Sequence, residues 1–133
     1  MQPIDELTPK AVNREIAERM GWRTEPHDKG FWLMVPRIWP LTLITSAMIA
    51  DTFRLEERCW TQAPDFYHGP AAALWLVEEM RKRGWTTFLD NANLPGWEVE
   101  IDHEIRGESH TFRGPFPAAI SRACLAALRE EKK

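Results

Sequence analysis

The sequence predicts an α+β fold, an antiparallel sheet of three to four strands packed with three or four helices. Three observations predict it. Apolar residues recur at helical spacing after start signals near Thr8, Pro70 and Pro115. Trp97-Glu98-Val99-Glu100-Ile101-Asp102 alternates strictly, as a half-buried antiparallel strand does. A chain of 133 residues, 44% of them hydrophobic, has the length and apolar content of a single domain, here spanning 1–133, that needs no disulfide or metal to fold. The stretch 30–63 stands apart from this pattern and reads as an insertion.

Each element has a local cause. Thr8 is placed to cap a helix whose first residue, Pro9, gives up an N–H that would go unused there. Val12, Ile16 and Met20 make its apolar stripe, and Gly21 followed by Trp22 reads as a Schellman ending with the ring folded back on the last turn. Arg23 to Lys29 is polar and turn-rich, so a loop is expected. The apolar run Phe31 to Val35, opened by Gly30 and stopped by Pro36, has the length of a short strand. Pro36 and Pro40 bar a continuous helix across Arg37-Ile38-Trp39. Beyond them, residues 43–57 read as a helix, with a β-hairpin as the alternative. The apolar, poorly periodic stretch 36–60 is also a candidate surface for self-association into a homo-oligomer.

After the loop Pro64 to Gly69, a helix from Pro70 to Arg83 is closed by Gly84. Leu74, Val77 and Met80 with Ala71, Ala73 and Trp75 form its apolar face, and Glu78 to Lys82 and Glu79 to Arg83 have favourable i, i+4 spacing. Thr86 to Leu89 reads as a strand, and Trp97 to Asp102 as a second with Trp97, Val99 and Ile101 turned inward. His110 to Arg113 reads as a third, after a turn around Gly107. The closing helix lines up Ile120, Cys124, Ala127 and Leu128 ahead of a charged tail, Arg129 to Lys133.

Composition and motifs exclude more than they assign. With 17 Lys and Arg against 20 Asp and Glu, the net charge of -3 supplies no field for a phosphate backbone, so duplex nucleic acid is not an expected partner. No apolar run reaches membrane-spanning length, and Met1 to Glu6 lacks the basic and apolar segments of a signal peptide, so no membrane and a cytoplasmic location are expected. The two cysteines, Cys59 and Cys124, form no CxxC, and Cys124 sits on a helical apolar stripe where a buried thiol is expected. His27, His68, His103 and His110 show no metal-ligand spacing. Phosphate-binding glycine motifs and GxSxG are absent, so no cofactor or metal is expected and the chain reads as a non-enzyme. The rival reading is a metal-dependent nucleotide-processing enzyme built on Glu98, Glu100 and Asp102, which lie two residues apart on one strand face. A solvated strand face explains the same row more simply.

Asn13 to Trp22, Ala72 to Trp85 and Pro117 to Leu128 together resemble the opening, central and closing helices of the phage alpha-beta-alpha sandwich domain family. The match departs before the central helix, where Tyr67-His68-Gly69-Pro70 stands in place of a Tyr-Ser-Thr-Asp-like cap, and 30–62 has no clear counterpart. The resemblance implies an alpha-beta-alpha sandwich of phage or prophage origin acting in the host bacterial cytoplasm. It brings no catalytic residue with it.

Seven Trp in the chain call for large flat contacts. Gly-Trp helix endings account for Trp22 and Trp85, and the helix and strand faces already read for Trp75 and Trp97, which leaves Trp32, Trp39 and Trp60 in or beside irregular sequence. Arg37 with Trp39, and Phe66-Tyr67-His68, supply stacking planes and donors suited to a nucleotide or to a protein hot spot. The expected role is stoichiometric binding of a host bacterial protein or a small nucleotide signal, as in counter-defence. A virion or assembly component is the remaining alternative.

Overall fold

The computed structural model describes residues 2–27, 30–34, 60, 63–91 and 96–131. The chain divides into two compact units, one formed by Met1–Ile16 with Asp65–Lys133 and the other by Ala17–Pro64. The expected helix or hairpin at 43–57, the self-association surface at 36–60 apart from its last residue, the buried Trp60, and Cys59, Arg37 and Trp39 lie outside the described residues.

A short 3-10 turn, Ile4–Glu6, precedes helix α1, Pro9–Arg19. Thr8 caps α1 as its position predicts, its Oγ1 accepting the Ala11 N–H at 3.2 Å. Val12 and Ile16 are buried. In the second unit, the Trp22 N–H reaches the Ala17 carbonyl and the Gly21 N–H that of Glu18. With Gly21 at φ +97°, this is the Schellman pattern, and it delivers Trp22 into a buried position. Strand β1, Arg23–His27, then pairs antiparallel with β2, Gly30–Met34, from Arg23 opposite Met34 to His27 opposite Gly30. The loop expected over 23–29 is thus replaced at 23–27 by a strand, because the backbone of the apolar run finds its ladder partner in the polar segment beside it.

The first unit holds the α+β arrangement that the sequence predicts. Helix α2 runs Pro70–Lys82, strands β3, β4 and β5 run Trp85–Asp90, Trp97–His103 and Ser109–Gly114, and helix α3 runs Phe116–Glu131. The sheet is antiparallel with order β3-β4-β5. Its register sets Leu89, Val99 and Phe112 in one row and Thr87, Ile101 and His110 in the next. Val99, Ile101 and Trp85 are buried on this side, whereas Phe88 on the opposite side is exposed. Helix α3 packs on β4, β5, α2 and the 3-10 turn, which explains why 11 of its residues are buried. Its five buried alanines, Ala118, Ala119, Ala123, Ala126 and Ala127, let neighbouring elements approach closely.

The face of α2 differs from expectation. Ala72, Ala73, Leu76 and Met80 are buried, while Leu74 is 53% exposed. Leu74 and Leu76 sit about 200° apart around a helix of 3.6 residues per turn, so only one of them can face α3. The acidic residues of α2 use i, i+3 rather than i, i+4 spacing, Glu78 with Arg81 and Glu79 with Lys82. Arg83 instead meets Glu131 of α3 at 2.8 Å, and the other oxygen of Glu131 accepts the Trp85 indole N–H at 3.2 Å. Arg129 binds both oxygens of Glu15 at 2.7 Å and donates to the Gln2 carbonyl at 2.9 Å. The segment expected to be a charged tail therefore anchors α1, β3 and the N-terminal segment.

Candidate functional site

The surface centred on Tyr67 is assembled from α1, the loop that enters α2, and α3. Asp65 begins that loop and organises it. Its backbone carbonyl accepts the Gly69 N–H at 2.8 Å, and its Oδ1 accepts the His68 N–H at 3.2 Å. A Cβ on Gly69 would stand 2.7 Å from the Asp65 carbonyl oxygen, so the turn requires glycine there. Asn13 of α1 clamps the loop from outside, its Nδ2 donating to Asp65 Oδ1 and its Oδ1 accepting the Tyr67 N–H, each at 2.9 Å. Burial acts to raise the Asp65 carboxyl, but hydrogen bonds from Asn13 and from the His68 backbone and ring outweigh it and hold the group below the usual aspartate range. The carboxylate in turn accepts from His68 Nδ1 at 3.1 Å, which leaves Nε2 as the imidazole's outward nitrogen.

The three aromatic side chains of this loop go to different places. Phe66 is fully buried and stacks on Trp75, with ring centroids 6.2 Å apart and planes 20° from parallel. It is a core residue that anchors the loop, and its ring is not on the surface. Tyr67 is half-buried, with its ring edge-on to that of His68 at 5.1 Å. The His68 side chain is 64% exposed. Arg122 of α3 donates from Nη2 to the Tyr67 hydroxyl at 2.7 Å, and its guanidinium carbon lies 5.5 Å from the Tyr67 ring centroid. On its other side, Nη1 lies 4.0 Å from Asp5 Oδ1.

Of the five residues read from the sequence as contacts, Tyr67 and His68 thus come together on one surface, and Phe66 lies beneath it. Asn13, Asp65, Arg122 and Asp5 were not among them. Arg122 left a signal, since it is the one charged residue from Pro117 to Leu128. A lone cation in an apolar helical run must be directed at something.

The acidic strand carries three half-buried carboxylates, and Asp102 Oδ1 is buried without a hydrogen-bond partner among the described residues. Arg113 donates to Glu98 from Nε at 2.8 Å. A hydrogen bond with Asp102, followed by repulsion from the same group, pushes Glu100 above the usual glutamate range. Among the described residues, no three His, Cys, Asp or Glu side chains are grouped to hold a metal ion. Cys124 is fully buried, and burial pushes its thiol up to about 12. No described helix is long and apolar enough to cross a membrane. No family model matches this chain, and neither a curated protein nor a solved structure does.

Proposed function

We propose that the protein acts by stoichiometric binding rather than turnover, as a small phage- or prophage-encoded accessory factor directed at a host bacterial protein or a small nucleotide signal. One observation carries this reading. The loop bearing Tyr67 and His68 is fixed by Asn13 and Asp65 through hydrogen bonds of 2.9 Å and 3.2 Å. Its phenol is thereby held ready beside Arg122, with the imidazole packed against the phenol ring. Side chains ordered in advance lose little entropy on binding, and Tyr and Arg are the residue types that dominate binding surfaces. The phage origin rests on the helix and cap resemblance alone.

Capture of partners from bacterial lysate, with mass spectrometry of both proteins and metabolites, identifies the target. Replacing Tyr67 by Ala should then weaken capture by about 1–3 kcal/mol, as loss of an aromatic anchor does, with melting temperature followed in the same samples. Leu74→Ala, on an exposed part of α2, serves as the surface control. Equal capture by wild type and Tyr67→Ala would remove this surface from the reading.

A further inference from the structure

We infer that Arg122 is an anion-binding residue of this surface, receiving the phosphoryl group of a small ligand, with Asp5 competing for the same guanidinium edge. The inference rests on the binding reading above and names the chemistry of what is bound. Arg122 stands among buried neighbours, and its side chain is 23% exposed. A guanidinium carries five N–H donors, and a charge removed from water to this degree ordinarily sits directly on an acid. Arg83 and Arg129, 34% and 14% exposed, do so, each with a carboxylate oxygen at 2.7–2.8 Å. Arg122 does not. Its hydrogen bond goes to a phenol oxygen, and the acid nearest it among the described residues, at 4.0 Å, belongs to a side chain 76% exposed.

Tyr67 completes the donor set. Because the Tyr67 oxygen accepts from Arg122, its own proton is directed away from the guanidinium and remains a donor. His68, whose Nδ1 donates to Asp65, packs its ring edge-on against Tyr67 and helps to fix the phenol beside Arg122. Arginine's fork suits phosphate and carboxylate alike, but a guanidinium edge beside a phenol O–H engages the three oxygens of a terminal phosphoryl group more fully than the two of a carboxylate, and the phosphoryl group's extra negative charge gains more from the cation. Asp5, held only at long range, is an internal rival that a ligand displaces.

Titration of the full chain with inorganic phosphate, following the Arg122 Nε–H by NMR, tests this. The expected result is a saturable shift that acetate at equal concentration does not reproduce. Asp5→Asn should tighten phosphate binding about threefold, the range of a weak exposed ion pair. Arg122→Gln should weaken it about tenfold or more, as loss of a charge-assisted fork does. Asp5 is exposed, so a gain in affinity on its replacement cannot arise from unfolding, and that variant decides the matter if Arg122→Gln does not fold. Unchanged affinity in Asp5→Asn, an equal response to acetate, or wild-type affinity in a folded Arg122→Gln would each overturn the inference. Target capture that still depends on Tyr67 while phosphate fails to bind would refute the anion site alone. Loss of both results would refute the binding surface as well.

Discussion

Asn13 does more than its place beside an apolar stripe suggests, because both ends of its amide are committed to the loop at Asp65 and Tyr67. Asn13→Ala should destabilise the protein by about 1–3 kcal/mol, since it leaves a partly buried N–H and a carboxylate without their partner. It should also raise the Asp65 pKa, readable by carboxyl NMR. The pH dependence has a definite sign. A carboxyl held lower in the folded state than in the unfolded chain stabilises fully above the unfolded value, about 3.9 for aspartate, and loses that contribution as pH falls toward the folded value. The stability gap between wild type and Asp65→Asn should therefore shrink as the solution is acidified below about pH 4. Core residues give a simpler contrast. Leu76→Ala should cost about 2–5 kcal/mol and Leu74→Ala under about 0.5 kcal/mol, measured by denaturant unfolding. At this scale the sequence marked Tyr67 and His68 as loop candidates, because aromatic and imidazole groups in a proline-bounded loop stand out, and both reach one surface. It could not show that Phe66 turns inward, since neighbouring loop residues have no periodicity from which to read a face.

Helix α3 shows how an element acquires its place from both ends. Its apolar centre was legible from spacing, whereas its charged end was not. Arg129 finds Glu15, and Glu131 finds Arg83 and Trp85, partners far away in sequence that no local pattern announces. The hydrogen-bonded pairing with Glu15 keeps Arg129 charged, its pKa raised above the usual arginine value. Glu15→Gln should cost about 1.5–3 kcal/mol, the range of hydrogen bonds to charged groups, and the loss should vary little with salt because the pair is shielded. Strand β4 offers the opposite case. Glu100 binds its proton more tightly in the folded state, so its contribution is present at low pH and fades as pH rises through its folded value. Glu100→Gln should raise the melting temperature at neutral pH and remove the gain in stability that wild type shows on mild acidification. Strand β1 escaped the sequence reading for a similar reason to the end of α3. Arg23 to His27 carries no alternation and contains Pro26, yet a two-stranded ladder has only edge strands, where proline is tolerated, and register with β2 decides the structure.

At the scale of the molecule, the α+β class was legible because helix caps, a strictly alternating strand and short connections are local signals that agree with one another. The bounds of the two compact units depend on which distant segments pack together, which no local signal announces. The unit that carries the proposed surface combines Met1–Ile16 with Asp65–Lys133, so the chain leaves it and returns before its core is complete. Ile120, buried on α3, belongs to that core, and Ile120→Ala should cost about 2–5 kcal/mol. Cys124 lies one turn further along the same helix. A thiol with no exposure and a pKa raised to about 12 offers almost no thiolate to a reagent in the native state, so modification must wait for α3 to separate from its neighbours. With Cys59 replaced by Ser, the rate at which a disulfide reagent consumes this thiol becomes a clock for that opening. It should run about 5–30 times faster for each 1–2 kcal/mol of core stability removed, recording how often the native unit comes apart on its own.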